Sequence, residues 1–211
     1  MSIIGLPELE TERLVLRQFT PADLDVYAMR IFADPEVTRF LPKRDIPPRQ
    51  RAERVLKYFS EHWLEHGFGD WAVTDRADGQ LIGHCGLNFV PEAGEVEVEY
   101  SLAKAYWRRG IATEAARASV RFGFEALRLE RLIALADPQN IASYRVMEKV
   151  GLTYQKEVLF FGMQLVYYQI LCHQFQVSNW AYRIRYTNSS DLEGALRDKS
   201  GHSNTSLKTR I

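Results

Sequence analysis

Cysteine is scarce in this sequence: Cys85 and Cys172 are the only two in 211 residues, and no Cys-x-x-Cys pair occurs. That excludes a disulfide framework and fits a reducing compartment. Net charge is absent as well, because 27 basic and 27 acidic residues cancel. No global field therefore draws the chain to nucleic acid or to an anionic membrane, and any anion site must be local. Long hydrophobic runs are missing. The most apolar later stretch, residues 158–172, carries Gln164 and Gln169 and is too short to span a bilayer. The opening MSIIGLPELETERL has neither the basic stretch nor the apolar core of a secretion signal. These absences lead us to expect a cytoplasmic protein with no nucleic-acid or membrane partner. Two phosphate-binding signatures are also absent: the Gly-Lys-Ser/Thr of a nucleotide loop and the three spaced glycines of a dinucleotide fold. His62 and His66 stand four apart, a spacing that zinc sites use, but neither a Glu-x-x-His pattern nor a third ligand accompanies them, so no metal is expected.

What is present is an ordinary globular balance, 46% hydrophobic and 26% charged, in a chain long enough to bury a core without staples. Leu14-Val15-Leu16 reads as a first strand. Thr20-Pro21-Ala22-Asp23 is a helix start, and the apolar spacing of Leu24, Tyr27, Ala28 and Ile31 carries the helix on to Asp34-Pro35. Pro47-Pro48 precedes a second helix over about 49–65, striped with Val55, Phe59 and Trp63. Strands are predicted over 70–74, 81–89 and 95–102, the first two joined by a turn at Arg76-Ala77-Asp78-Gly79. Then come a helix over about 111–127, a strand over 132–136, a helix over about 141–150 stopped by Gly151, and a closing hairpin of 158–161 and 164–171. Trp63, Phe68 and Trp71 read as core.

The order αα-βββ-α-β-α-ββ predicts an α/β fold: a mixed, strongly twisted sheet of six to seven strands with helices on both faces. Residues 1–9 read as a lead-in and 10–171 as the domain. Residues 172–186, with Phe175, Trp180, Tyr182 and Ile184, suffice for one further element. Residues 187–211, rich in Ser, Asn, Asp, Lys and Gly, are expected to be disordered.

The chemistry concentrates in Tyr106-Trp107-Arg108-Arg109-Gly110-Ile111-Ala112-Thr113-Glu114-Ala115, between a strand and a helix. A glycine at a bend that leads straight into a helix aims several N–H groups at one point, where the positive end of the dipole adds to them. Arg108 and Arg109 can hold phosphate oxygens, and small Ala112 allows close approach. Two cations before a helix N-terminus oppose the dipole, which favours a bound anion there. The alternative is a plain helix start.

The loop resembles the pyrophosphate-binding motif of the GNAT acetyltransferase superfamily, Gln/Arg-x-x-Gly-x-Gly/Ala: Gly110 and Ala112 match, while Trp107 stands at the first position, as is usual in the RimJ/RimL-like branch. Three further segments resemble that branch: Thr11-Glu12-Arg13-Leu14-Val15-Leu16-Arg17, the strand from Glu97 to Leu102, and Asn140-Ile-Ala-Ser143 running on to Lys149-Val-Gly151-Leu152. The resemblance covers about residues 10–171. It implies acetyl-CoA as co-substrate and an amine acceptor, with no metal and no covalent enzyme intermediate.

It also implies roles. Main-chain groups of Tyr100, Ser101 and Leu102 would hold the pantetheine arm. An N–H near Leu102 would polarise the thioester carbonyl. Arg108, Arg109, Gly110, Ile111, Ala112 and Thr113 would hold the pyrophosphate, and Asn140 the arm. Ser143 would bind the leaving thiolate, in place of a tyrosine that other members have where this chain has Met147. Glu97, preferred, or Glu99 would be the base. On the residues alone, Glu95, Glu97 and Glu99 equally suit the solvated face of an alternating strand, and Asn140 suits a helix cap. The acceptor site would lie around residues 40–51 and 160–164, where Arg44, Asp45, Arg49, Phe160 and Phe161 suit a protein N-terminus, a polyamine or an antibiotic amine. A homodimer and a non-catalytic acyl-CoA sensor both stay open.

Overall fold

The structure, a computed structural model, describes residues 6–177 and 181–186. Pro7–Thr11 (β1) buries alternate residues and turns at Glu12-Arg13 into Leu14–Arg17 (β2). Pro21 then opens a single 3-10 turn. Arg17 donates from both terminal nitrogens to Asp23, at 2.8 and 2.7 Å, and the Thr20 N–H reaches the same carboxylate at 2.7 Å. Leu24–Tyr27 (α1) continues as a wider π turn over Ala28–Phe32, where a regular helix was expected. Asp34 caps the short Pro35–Thr38 (α2) through the Glu36 N–H. Pro48–His66 (α3) follows and stops at Gly67, whose φ of 73° is left-handed.

The remaining elements are Asp70–Asp75 (β3), Leu81–Val90 (β4), Glu95–Leu102 (β5), Ile111–Glu125 (α4), Arg131–Ala136 (β6), Ile141–Val150 (α5), Thr153–Phe160 (β7), Met163–Leu171 (β8) and Tyr182–Tyr186 (β9). They form a nine-stranded mixed sheet in the order β7-β8-β6-β5-β4-β3-β2-β1-β9, antiparallel throughout except between β5 and β6. Helices cover both sides. One core joins α4 and α5 to the sheet through Trp71, Leu87, Val98, Phe122 and Met147; the other joins α1 and α3 through Tyr27, Ile31, Phe59 and Ala72.

The strand count exceeds the expected six to seven, and the excess lies at the edges. β1 begins inside the stretch read as a lead-in, because Pro7 and alternating glutamates hide a strand that pairs on both sides. β9 is the one further element expected within 172–186, and it pairs β1 over five residues. β7 begins at Thr153 rather than 158: Thr-Tyr-Gln-Lys-Glu faces solvent on an edge strand and carries no apolar alternation to read. Trp180 and the tail 187–211 lie outside the described residues.

His62 is a core residue. Its Nε2 accepts the Phe89 N–H at 2.9 Å, so Nδ1 carries the proton and donates to the Phe68 carbonyl at 2.8 Å. Both nitrogens are thus spent joining α3 to the start of β3 and the end of β4.

Trp71 is fully buried, edge-on to Trp63 and Phe122, with its indole N–H donating to the Pro7 carbonyl at 2.8 Å. Trp71→Ala should cost about 3–5 kcal/mol in urea unfolding; a loss under about 1 kcal/mol would show that this contact is not the centre of the core.

Candidate active site at the fork between two strands

Strands β5 and β6 run parallel and share one register pair, Glu97↔Ile133. Past it they separate, and the end of β5 has no strand beside it on that side. The Ala103 N–H donates to the Ile82 carbonyl on β4 at 2.9 Å. Alternate residues of an antiparallel ladder turn their main-chain groups to opposite sides. Leu102 therefore turns its N–H and carbonyl away from β4, into the fork, where Trp107 Nε1 donates to that carbonyl at 2.7 Å. The Glu97 Oε1 accepts the Leu135 N–H at 3.0 Å, just past the last paired residue, and so closes the base of the fork.

On one side of the fork stands the start of α5. Asn140 caps it: Oδ1 accepts the Ser143 N–H at 3.2 Å. The bland role of Asn140 is thus the one realised by its oxygen. Ser143 is buried, and its Oγ lies 2.9 Å from the phenol of Tyr100, which also donates to the Ser143 carbonyl at 3.1 Å. Burial raises the Tyr100 pKa, so this phenol stays protonated at neutral pH. Met147 is packed in the core.

The loop before α4 has the geometry of an anion cradle. Gly110, the N-cap, adopts φ 76° and supplies no capping side chain, so the first-turn N–H groups of α4 are left without a side-chain cap. Ile111 sends its side chain into the core and offers only its backbone, whereas Ala112 is half-buried. Arg108 and Arg109 are exposed, the latter over the Tyr106 ring. The loop is tied to the β1–β2 corner. Thr11 Oγ1 and the Arg13 N–H both donate to Glu114 Oε1, at 2.6 and 2.9 Å; Arg13 Nε donates to Oε2 at 2.7 Å and Nη1 to the Arg109 carbonyl at 2.9 Å. Beside Gly110 lies an open pocket of about 260 Å³ lined also by Thr113, Glu114, Arg13, Arg117 and Lys149.

The sheet face under α1 and α3 carries buried polar side chains. Glu97 and Glu99 are not the solvated face of an alternating strand: Glu97 is 8% exposed and Glu99 half-buried. The register stacks Asn88 beside Glu97 and puts Gly86 between Asp70 and Glu99. A Cβ at Gly86 would stand 2.4 Å from the Asp70 Cα. With none there, the Asp70 and Glu99 carboxyl groups meet in a hydrogen bond. Asn88 holds Glu99 on the other side and accepts from the Tyr58 hydroxyl at 2.6 Å. His84 Nδ1 lies 2.9 Å from the Tyr27 hydroxyl. Burial lowers the His84 pKa to about 3, so its ring is neutral. Burial and the neighbouring Glu99 raise that of Glu97, against the Leu135 hydrogen bond.

Asp70, His84, Asn88 and Tyr58 were not singled out from the sequence. A signal was present: His84, Gly86 and Asn88 alternate through an otherwise apolar strand, which puts two polar groups and a gap on one face.

A mixed sheet forked beside an uncapped helix start is the architecture of a coenzyme A-dependent acyltransferase. The Acetyltransferase (GNAT) domain family matches residues 13–153, and the chain belongs to that family. An uncharacterised N-acetyltransferase, p20 of Bacillus licheniformis, is 31% identical over 72% of this chain and 84% of its own. A solved acetyltransferase from Agrobacterium tumefaciens is 29% identical over 79% of this chain and 95% of its own, with a TM-score of 0.70. RimJ of Mycobacterium smegmatis, solved in complex with CoA-disulfide, shares the fold at 19% identity and a TM-score of 0.68 over 81% of this chain and 88% of its own. The protein is an acetyl-CoA-dependent acyltransferase. Among the described residues no helix is long and apolar enough to cross a membrane.

Arg108 has φ 60°, a conformation that favours glycine. Arg108→Gly should raise the unfolding free energy by about 1 kcal/mol through relief of that strain, measured in urea. A destabilised variant would mean that the guanidinium makes compensating contacts.

Proposed function

We propose that this protein transfers the acetyl group of acetyl-CoA directly to a primary amine, either a protein N-terminus or a small-molecule amine. The observation that carries the proposal is the single β5–β6 pair with Leu102 turned into the opening. An extended pantetheine arm fits there as an added strand, bonded by main-chain groups of Tyr100 and Leu102; Ser101, expected to share that role, instead turns its main-chain groups to His84 on β4. The Leu102 N–H supplies a donor where negative charge develops on the thioester oxygen. The pyrophosphate belongs at Gly110, Ile111, Ala112 and Thr113 on the start of α4, with Arg108 and Arg109 as exposed cations and Arg117 and Lys149 lining the adjacent pocket.

Direct attack needs a free amine, and an alkyl ammonium with a pKa of about 10 is mostly protonated at neutral pH. Glu97 and Glu99 flank the fork with raised pKa values, which suits a base working near pH 7. Departure of the thiolate needs a donor. Ser143 Oγ and the Tyr100 hydroxyl stand together at the α5 side of the fork, and the phenol is the stronger acid of the two. Ser143 then orients Tyr100 and hydrogen-bonds the sulfur. The acceptor enters from the α1–α3 face, past residues 40–51.

The test is release of free thiol from acetyl-CoA against peptides with free N-termini, spermidine and an aminoglycoside, with the acetylated product weighed by mass spectrometry. Turnover with at least one amine is expected. Saturable acetyl-CoA binding without turnover would leave a sensor domain.

Gly110→Val should abolish acetyl-CoA binding and leave the fold intact. An added Cβ meets only Arg13 Nη2 at 3.5 Å, so the harm comes from forcing a β-branched residue to φ 76°. With saturating acetyl-CoA at 100 times Kd, wild type gains about 2.7 kcal/mol in thermal unfolding and the variant none. A gain retained in the variant would remove the loop from the site.

A further inference from the structure

Two carboxyl groups buried face to face cannot both be ionised without a counter-charge or a hydrogen-bond donor. Asp70 is 2% exposed, and among the described residues no N–H or neutral O–H group donates to its Oδ1. That oxygen lies over Gly86, 2.7 Å from where a Cβ would stand, in the gap between Asp70 and Glu99, and the two carboxyl groups are hydrogen-bonded to each other there. A carboxyl-to-carboxyl hydrogen bond requires one proton. It belongs on Asp70, the more deeply buried of the two and the one that no other donor reaches, where a charge would cost more. Glu99, half-buried and held by the Asn88 amide, is the member able to be ionised.

We propose that Asp70 and Glu99 form an acid–carboxylate pair in which Glu99 is the base that deprotonates the acceptor amine and Asp70 is the positioning residue that holds it. This rests on the acetyl-transfer reading above and names the base within it. Glu97 is the less suited glutamate, since its Oε1 is committed to the Leu135 N–H at the base of the fork. The step balances. Glu99 takes one proton from the ammonium and passes it to solvent. The freed nitrogen lone pair bonds to the thioester carbon, the C–S bond breaks with its electron pair on sulfur, and the second nitrogen proton ends on the thiol.

The titratable groups facing the pair are Glu97 on β5, His84 on β4, Tyr27 from α1 and Tyr58 from α3, with Arg51 of α3 interacting with Tyr27 and Cys85 on the opposite face of β4. His84 is neutral and the cysteine and phenols stay protonated, so none of these groups neutralises the pair. A divalent cation is the competing way to do so. Asp70, His84 and Glu99 offer ligand atoms within 4.8 Å of one another. A proton shared between the two carboxyl groups relieves the repulsion without an ion, and metal removal distinguishes the two.

The test uses the full chain with ¹³C at the Asp and Glu side-chain carboxyls, titrated by NMR. One Asp resonance should remain in its acid form at neutral pH, vanish in Asp70→Asn, and ionise at least about one pH unit lower in Glu99→Gln, where the like charge is gone. Ionisation of every Asp below about pH 5 would overturn the shared proton. So would a stoichiometric metal ion whose removal by EDTA moves these resonances.

Kinetics then use acetyl-CoA with whichever amine of the panel is turned over. Glu99→Gln should lower kcat by roughly 100-fold or more. Asp70→Leu, close to Asp in shape but without a donor, should move the acid limb of kcat/KM up by about one pH unit, and Asp70→Asn, whose amide donates in its place, should restore it. An acid limb unmoved in Asp70→Leu, or a limb lost in Glu97→Gln instead of Glu99→Gln, overturns the assignment. Failure of wild type to acetylate any amine would sink the acetyl-transfer reading, while the NMR titration still decides whether the proton is shared.

Discussion

The interruption of one hydrogen-bonded ladder organises this protein. Eight strand junctions make up its sheet, and seven are antiparallel with registers of two to eight paired residues. The eighth, between β5 and β6, has one pair. Unpaired main-chain groups inside a sheet are costly unless something satisfies them. Here Glu97 accepts from Leu135 and Trp107 donates to Leu102, and the proposed pantetheine arm would take up the Leu102 N–H. The start of α4, after Gly110, and the start of α5, where Tyr100 meets Ser143, are tied to the same end of β5.

Much of what surrounds the fork acts to keep it fixed. Glu114 in the first turn of α4 is bound by Thr11 and Arg13, and Arg13 also grips the Arg109 carbonyl. The cradle is thereby referenced to β1 and β2, at the far side of the sheet order. The Glu114 carboxylate also suits the helix dipole, while its engagement with Arg13 leaves the N–H groups ahead of it to a ligand. On the opposite face, α3 shields the polar residues of β3 to β5 through Tyr58, Phe59 and His62. That shielding is what raises the carboxyl pKa values, and it depends on His62 tying α3 to Phe68 and Phe89.

The α4 start, the Gly110 bend, the α5 cap and the central strands were legible because each is written locally: a glycine, a cap residue, an apolar period. The edges were not. β1 and β7 present polar side chains to solvent, and their strand conformation comes from pairing with β2, β9 and β8 rather than from their own pattern. In the site, the Gly110 bend and the helix start after it were readable, whereas the burial of Glu97 and Glu99 was not. Alternation in EVEVEYSL tells that two faces differ, but not that α3 covers the acidic one. Asp70 and Glu99 are far apart in sequence, and only the register across Gly86 brings them together.

The central claim is that the fork receives the pantetheine arm, and amide NMR of the ¹⁵N-labelled chain with and without acetyl-CoA tests it most directly. Saturable shifts should concentrate on Leu102, on Leu135 and Ala136 along β6, and on Gly110 to Thr113, with slowed hydrogen exchange at the Leu102 N–H. Binding that perturbs the loop residues but leaves the Leu102 and Leu135 amides unchanged would contradict the account.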